Sequence, residues 1–309
     1  MKVSIYGAGR VGVSVAFSLI HRALIDEIVF VDIDTEKAEG EALDLLHSSA
    51  MFKKCDVKAG SYENISDSDF VVITAGYSQK PGETRLDLVE KNLNILKQIA
   101  HELRIYAQDS IIINVTNPVD VLTYYLWKYT GFSSNKVIGT GTTLDTARLR
   151  TLLSSICDIA PSSIHAYVIG EHGDSEFVPF SIATIGGLKL VDYCIQCKNY
   201  VAGKCPNLEI LVEEVKNAAY KIIQKKGATN LAIGSVVGSI IESMIKDEKR
   251  VWTPSVLIDD VYIGYPAVLG RRGVEKVLRL NLTHEENTLF EKSKSTIRNV
   301  IIEMESKKI

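Results

Sequence analysis

The sequence predicts an α/β protein in which a doubly wound parallel sheet is followed by a second, α+β domain. Three observations predict this fold. Short apolar runs alternate with segments long enough for helices, a glycine-rich turn follows the first run, and the alternation ends near residue 140. The predicted domains are therefore residues 1–140 and residues 141–309.

The strands are predicted from runs rich in Val and Ile, as expected for strands buried on both faces of a sheet. These runs are residues 3–6, 28–31, 70–74, 111–115 and 136–139. Between two of them, apolar residues recur every three or four positions over 86–103, which predicts an amphipathic helix. In the second domain we expect long helices over 208–225 and 283–304 and a strand over 166–169.

Composition and charge exclude several classes of protein. The 309 residues include 35 Lys and Arg against 38 Asp and Glu, so no general attraction to nucleic acid or membranes is expected. The chain reaches a glycine turn before any signal-like apolar stretch, and no apolar run approaches the roughly 18 residues of a membrane span. We therefore expect a cytoplasmic protein.

Five cysteines without a secretory signal predict reduced thiols rather than disulfides. Three of them, Cys194, Cys197 and Cys205, lie close together in the sequence. Three thiols without a nearby histidine fall short of the four ligands of a closed zinc site. An ordinary polar loop is the favoured interpretation, and no metal is predicted.

The first predicted strand leads into a Gly-x-Gly-x-x-Gly turn formed by Gly7, Gly9 and Gly12. Such a turn lets backbone N–H groups approach a pyrophosphate at the start of a helix, which is typical of a Rossmann-type domain. Asp32 closes the second strand, where a carboxylate accepts the ribose hydroxyls of NAD. Its charge would repel the 2′-phosphate of NADP, and the next two residues offer no Arg. NAD is therefore the predicted cofactor.

Hydride transfer to a carbonyl requires a proton donor, and His172 is the candidate because it follows the predicted strand 166–169 in a turn. Asp145 could fix its tautomer. Arg148, three residues later on the same helical face, could bind a substrate carboxylate through its planar fork. Taken singly, each has an alternative role as a hydrogen-bonded histidine, a helix cap or an ion-pair member.

Residues 76–85 contain two glycines and a proline directly after a strand, which indicates a mobile lid. Lid closure could bring Arg85 to the substrate carbonyl oxygen. A preorganised cation there would stabilise the charge that develops during the reaction. A surface ion pair is the alternative role for Arg85.

At this point the chain resembles the L-lactate and malate dehydrogenase family over nearly its whole length. The resemblance is carried, in order, by GAGRVG, VDID, TAGYSQKPGETR, NVTNPVD, LDTARLR, GEHGDSE and KKGAT. It implies that His172 is the proton donor and acceptor, Asp145 its orienting partner, Arg148 the carboxylate clamp and Arg85 the lid arginine. It also implies that Asn117 contacts the substrate oxygen near the nicotinamide.

Within this family, Gln79 occupies the lid position at which malate dehydrogenases have an Arg, and Thr229 matches the residue that narrows the pocket in the lactate type. A dianionic substrate would bury its second carboxylate without a partner. The resemblance thus implies reversible hydride transfer between NADH and pyruvate to give L-lactate. Malate, a larger 2-hydroxy acid, and a non-catalytic NAD-binding role are the alternatives. Tyr77 departs from the family in being bulky at its lid position.

The resemblance implies further cofactor contacts, an assembly and an effector. The additional cofactor residues are Arg10, Val11, Thr74, Ala75, Gly76, Asn92, Val115 and Asn117. A homotetramer is expected, acting in glycolysis and fermentation. Arg150 and His165 match positions where bacterial members bind fructose 1,6-bisphosphate across a subunit interface, although an ion pair and a strand cap are their alternative roles.

Overall fold

The computed structural model describes residues 1–77 and 85–307, including the backbone but not the side chain of Arg85. In the first half, strands and helices alternate as the sequence predicts. The strands are β1 (Lys2–Tyr6), β2 (Glu27–Val31), β3 (Asp56–Ala59), β4 (Phe70–Ile73), β5 (Ile111–Asn114) and β6 (Val137–Gly139). The helices are α1 (Arg10–Arg22), α2 (Thr35–Ser49), α3 (Arg85–Tyr106) and α4 (Val119–Thr130).

The second half is dominated by helices, with short strands between them. Its helices are α5 (Thr143–Cys157), α6 (Leu190–Gln196), α7 (Lys198–Val201), α8 (Leu208–Lys226), α9 (Leu231–Ile245) and α10 (His284–Ser306). Its strands are β7 (Ile164–His165), β8 (Thr184–Ile185), β9 (Leu188–Lys189), β10 (Arg250–Trp252), β11 (Ser255–Ile258), β12 (Val261–Gly264), β13 (Ala267–Gly270) and β14 (Gly273–Val277). No helix within the described ranges is both long and apolar enough to cross a bilayer.

The main sheet has the strand order β12-β11-β6-β5-β4-β1-β2-β3 in the described part of the chain. The six strands from the first half are parallel, and their order is that of a dinucleotide-binding sheet. The β11–β12 hairpin extends the edge by antiparallel pairing with β6. The strand order runs outward in opposite directions from the neighbouring strands β1 and β4, which leaves a crevice above their carboxyl ends.

Alternate residues of the parallel strands point into two separate cores. Ile5 and Val72 face the side that α1, α2 and α9 cover, whereas Tyr6 and Ile73 face the side that α3, α4 and α10 cover. All four side chains are at most 4% exposed, so the sheet is buried on both faces. A third core lies between α5, α8 and the small β7–β9 sheet.

The predicted strand over 166–169 is wrong. The structure has a two-residue strand, β7, followed by an extended segment whose next bridge is at Ile169. Side chains of α5 and of the residue just before it take the backbone bonds that a neighbouring strand would otherwise make. The Thr146 hydroxyl accepts the Val168 N–H at 2.9 Å, and the Thr142 hydroxyl donates to the Val168 carbonyl at 2.6 Å. This contact binds the segment before His172 directly to the helix that contains Asp145.

Candidate active site

The glycine-rich turn after β1 forms an open cradle at the start of α1. Gly7 has a φ of +102°, and a Cβ on Gly12 would lie 2.0 Å from the Gly7 carbonyl oxygen. A Cβ on Gly9 would meet no atom within 4 Å, so the space in front of this residue is open. The first turn of α1, with Arg10 and Val11, has no side-chain cap and no acidic residue. Its N–H groups thus fit an anion such as the pyrophosphate of NAD.

Asp32 lies immediately beyond β2, next to this cradle. One carboxylate oxygen accepts the Ala8 N–H at 2.6 Å, and the other accepts the Asp34 N–H at 2.9 Å. These two bonds hold the carboxylate beside the turn. Each oxygen retains a lone pair that could accept a ribose hydroxyl, so the geometry fits a dinucleotide.

Asn92 joins the two loops that follow β4 and β5. Its buried side-chain oxygen accepts the Tyr77 N–H at 2.7 Å, and its Nδ2 donates to the Asn117 carbonyl at 2.9 Å. Gly76 packs so tightly against this junction that a Cβ would lie 2.4 Å from the Thr116 methyl group. Asn92 therefore shapes the floor of the crevice, whatever contact it makes with a cofactor.

The other predicted cofactor residues lie at the carboxyl ends of the central strands. The Thr74 hydroxyl lies 3.0 Å from the Gly7 carbonyl, and the Ala75 carbonyl accepts the Thr116 hydroxyl at 2.8 Å. Val115 donates its N–H to the last carbonyl of β4 at 2.9 Å. These bonds gather the loops around one crevice, which is where doubly wound sheets bind ligands.

His172 and Asp145 meet across 27 residues of sequence. The Nδ1 atom of His172 lies 2.8 Å from one Asp145 carboxylate oxygen, which leaves Nε2 available to a substrate. Asp145 is buried in the first turn of α5, and its other oxygen accepts a hydrogen bond from Arg148 Nη1 at 2.8 Å. One carboxylate therefore holds both the imidazole and the guanidinium in place.

This arrangement favours the charged form of the imidazole. Burial alone lowers the pKa of His172, but the charge and hydrogen bond of Asp145 outweigh it and raise the pKa to about 9. Burial works in the opposite sense on Asp145. There the charges and hydrogen bonds of His172 and Arg148 outweigh burial and lower the pKa of the carboxyl. The pair is thus an imidazolium and a carboxylate at neutral pH.

Asp120 is a second carboxyl group at this site, and the sequence analysis did not single it out. It is 3% exposed in the first turn of α4, accepts the backbone N–H of His172 at 2.8 Å and accepts the Ser255 hydroxyl at 2.6 Å. Burial raises the pKa of Asp120 to about 6. The sequence does contain one sign of this residue, because Asp120 is an acidic residue within the apolar helical segment that follows Pro118.

Glu176 is a third buried carboxyl group, with one oxygen 3.9 Å from His172 Nδ1. Burial and the neighbouring charge of Asp145 raise the pKa of Glu176 to about 8. Asp145, His172 and Glu176 offer ligand atoms within 4.8 Å of one another. A cation bound there would compete with the His172–Asp145 bond and with Arg148, so the set is better suited to proton transfer than to metal binding.

Four predicted substrate residues lie outside the described residues or in loops at the edge of the site. Gln79 and the Arg85 side chain lie outside the described residues. Asn117 is exposed after β5, with its Oδ1 accepting the Val119 N–H at 3.2 Å. Thr229 is half-buried in the loop between α8 and α9. The roles assigned to these four residues remain predictions.

Arg150 and His165 lie near each other, because Arg150 contacts the residue that follows His165. Arg150 donates through Nε to the Ala166 carbonyl at 3.1 Å, and its guanidinium lies 5.3 Å from the Tyr167 ring centroid. His165 is exposed on β7. The Arg150 contact is with a backbone carbonyl and an aromatic ring rather than with the helix acid considered as its alternative partner.

The comparisons with known proteins cover the whole described fold. A model of the lactate/malate dehydrogenase NAD-binding domain matches residues 1–139, and a model of the alpha/beta C-terminal domain of the same family matches residues 142–308. These two matches together span nearly all of the chain.

Individual relatives agree with the family models. The chain is 65% identical over 308 residues to an L-lactate dehydrogenase of Fervidobacterium nodosum, with 99% of each chain covered. It is 55% identical to an L-lactate dehydrogenase of Pseudothermotoga lettingae, covering 99% of this chain and 97% of that one. Among solved structures, a minor L-lactate dehydrogenase of Enterococcus mundtii superposes with a TM-score of 0.92 at 39% identity, with 97% of each chain covered.

Proposed function

The chain belongs to the lactate/malate dehydrogenase family, and we propose that it interconverts pyruvate and L-lactate with NAD as the cofactor. The observation that carries the reaction type is the 2.8 Å contact between His172 Nδ1 and Asp145. It leaves a protonated imidazole with one nitrogen free beside Arg148. That arrangement suits a carbonyl substrate that also bears a carboxylate.

We propose the following roles for the residues of this chain. Arg148 binds the substrate carboxylate with the guanidinium hydrogens that Asp145 does not use. His172 donates the proton on Nε2 to the ketone oxygen during reduction and takes it back during oxidation. Asp145 stabilises the imidazolium in both directions. Bound NADH supplies the hydride, and the cradle formed by Gly7, Gly9 and the start of α1 orients it.

Arg85 and Gln79 complete the proposed site as residues of the lid. Arg85 would polarise the ketone oxygen, and neutral Gln79 would leave a second substrate carboxylate without an ion partner. The two relatives with the higher identities are both named L-lactate dehydrogenases, which agrees with a monocarboxylate substrate. We therefore propose pyruvate rather than oxaloacetate.

The test is a side-by-side measurement of NADH oxidation with pyruvate, oxaloacetate and a branched 2-oxo acid. We expect kcat/KM to be at least about 100-fold higher for pyruvate than for oxaloacetate, because an unpaired buried carboxylate costs several kcal/mol. A preference for oxaloacetate would refute the substrate assignment but not the reaction type. Absence of NADH oxidation with all three would refute the reaction type.

We also propose that the chain forms a homotetramer in the cytoplasm and responds to fructose 1,6-bisphosphate through Arg150 and His165. Exposed apolar side chains on α8, among them Tyr220 and Ile223, support association. The free state of all five cysteines agrees with a reducing compartment. A two-fold contact would bring two copies of the Arg150 and His165 pair together, giving four basic groups for a bisphosphate.

Native mass measurement tests the assembly, and pyruvate saturation with and without the bisphosphate tests the effector. The parent chain should reach half-maximal rate at lower pyruvate when the effector is present. Arg150→Gln should abolish that shift while leaving the maximal rate intact. Superimposable parent curves would remove the effector from this proposal.

A further inference from the structure

The turn that contains His172 is joined to the last helix, α10, by a closed ring of hydrogen bonds. The members of this ring are Glu171, which directly precedes His172, Ser175 from the same turn, and Ser293 from α10. We propose that Ser175 and Ser293 are positioning residues that keep the imidazole of His172 in contact with Asp145, an inference that rests on the proposed role of His172 in proton transfer.

Each proton in the ring can be assigned. The Ser293 hydroxyl oxygen accepts the backbone N–H of Glu171 at 2.7 Å, and the Ser175 hydroxyl donates to the Glu171 carboxylate. The two serine oxygens lie 3.0 Å apart. Because a hydroxyl has one proton and that of Ser175 is already used, Ser293 donates to Ser175. The ring therefore begins at the backbone of Glu171 and ends at its side chain, and every donor in it has an acceptor.

Ser293 directs its hydroxyl toward the turn rather than toward its own helix. Ser295 and Thr296, which follow it in α10, donate to carbonyls of that helix at 2.8 Å and 3.2 Å, as helical serines and threonines often do. Glu171 and Ser293 are 2% and 0% exposed. Water therefore cannot replace a lost partner in the ring, so the ring favours a single arrangement of the turn.

The backbone before His172 lies too close to α10 for a side chain at Gly170. This glycine has a φ of +106°, and a Cβ on it would lie 2.8 Å from the Ser293 hydroxyl oxygen. The N–H and the carbonyl of Gly170 pair with Gly264 of β12 at 2.9 Å and 3.0 Å. Strand β12 and helix α10 therefore both hold the segment that leads into His172, while Asp120 accepts the N–H of His172 itself.

The contact that depends on this placement joins two separate elements. His172 belongs to the turn and Asp145 belongs to α5, and Nδ1 lies 2.8 Å from the carboxylate oxygen. A hydrogen bond weakens steeply as its distance and angle depart from their best values. A turn released from α10 should therefore form the His172–Asp145 contact less often, although neither of the two residues has been changed.

Replacing either serine leaves every charged side chain around His172 in the sequence. In the part of the chain that the structure describes, these are Asp145 and Arg148 of α5, Asp120 of α4, Lys216 of α8, and Glu171, Asp174 and Glu176 of the turn. Asp145 holds the pKa of His172 at about 9. A lower pKa of His172 in a serine variant would thus report that the imidazole has moved away from Asp145.

The experiment follows the modification of His172 by diethyl pyrocarbonate in the full chain, read by peptide mass spectrometry between about pH 6 and pH 9.5. The reagent attacks the neutral imidazole, and the His172 side chain is 28% exposed. Ser293→Ala and Ser175→Ala should each lower the midpoint by about half a pH unit or more, which makes modification at pH 7 about 3-fold faster. Ser295→Ala is the matched control, because its hydroxyl donates to the Glu291 carbonyl within α10.

Ser175 is half-buried, so Ser175→Ala tests the ring even if Ser293→Ala does not fold. Pyruvate reduction in the same variants should begin to fall at a lower pH, with NADH affinity within about 2-fold of the parent. An unchanged His172 midpoint in Ser175→Ala would overturn the proposal.

Equally faster modification of all six histidines would also overturn the proposal, because it would indicate a general loosening of the fold. A parent chain that does not oxidise NADH with pyruvate would refute the proposed function alone. The modification midpoint is measured without substrate, so it would still decide whether the ring positions His172.

Discussion

Replacing Asp145 with Asn tests whether this carboxylate controls the proton on His172. The Asp145 carboxylate lies 2.8 Å from His172 Nδ1, and its charge is the main influence that raises the imidazole pKa to about 9. Asparagine can accept the same hydrogen bond without the charge. The variant should therefore keep the geometry but return the pKa of His172 toward its ordinary value of about 6.5.

The size of the effect follows from the two pKa values. At pH 7.5 a group with a pKa of about 9 is almost fully protonated, whereas one with a pKa of about 6.5 is only about one-tenth protonated. Loss of the proton alone should thus lower kcat/KM for pyruvate reduction by about 10-fold at pH 7.5. The same reasoning gives roughly 80-fold at pH 8.5 and almost no loss at pH 5.5.

The assay is NADH oxidation at limiting pyruvate from pH 5.5 to 9.5, at constant ionic strength. The substitution also removes the charged partner of Arg148. We therefore expect a second decrease in kcat/KM that is the same at every pH. The dependence on pH isolates the effect on the proton. NADH affinity, measured by fluorescence, should change little, because Asp145 makes no contact with the glycine-rich cradle in the described residues.

Glu176→Gln is the matched control, since Glu176 is the other carboxyl group beside His172 Nδ1. Its own pKa of about 8 leaves Glu176 largely uncharged at neutral pH. Glu176→Gln should therefore hardly change the pH at which kcat/KM for pyruvate reduction falls. The reasoning fails if the Asp145→Asn profile runs parallel to that of the parent. It also fails if Glu176→Gln shifts the profile as far as Asp145→Asn does.

Five further substitutions test other parts of the site. Gln79→Arg should raise the kcat/KM ratio of oxaloacetate to pyruvate by about 10-fold or more, and an unchanged ratio would contradict the lid assignment. Arg148→Lys should mainly raise the KM for pyruvate, because an ammonium cannot reproduce the planar fork; a loss confined to NADH affinity would contradict it. Gly12→Ala should lower the melting temperature, whereas Gly9→Ala should weaken NADH binding alone, as calorimetry and titration would reveal. Asp120→Ala should destabilise the fold by about 1–3 kcal/mol in urea unfolding and lower kcat, since the His172 N–H loses its acceptor; unchanged kcat would rule out a positioning role.

The strands and the cofactor cradle were predictable because their signals are local. Runs of Val and Ile mark strands that are buried on both faces, and β1, β2, β4, β5 and β6 lie where those runs occur. The glycine spacing follows from contacts within twelve residues, such as the approach of Gly12 to the Gly7 carbonyl. By contrast, the strand predicted over 166–169 was wrong because Thr142 and Thr146, at the start of α5 and more than twenty residues earlier, take its backbone bonds.

The sequence reveals a residue of the site only when its side-chain type is itself suited to the reaction. His172, Asp145 and Arg148 are side chains suited to the reaction, and the structure brings them into contact. Asp120 was missed because its partner is a backbone N–H 52 residues away, which no residue type reveals. Glu176 was missed because its importance comes from burial rather than from spacing.

The placement of these acids agrees with the proposed role of His172 in both directions of the reaction. Asp145 gives the imidazolium a charged partner. Asp120 instead accepts the backbone N–H of His172 and so helps to fix the position of this residue. Glu176 stays mostly protonated below pH 8 and so adds little negative charge to the pocket. If all three were ionised, the imidazolium would be too stable to release its proton to a ketone. Burial therefore keeps the proton available through Glu176, because it raises the pKa of that carboxyl group to about 8 and so prevents a third full negative charge beside the imidazolium at neutral pH.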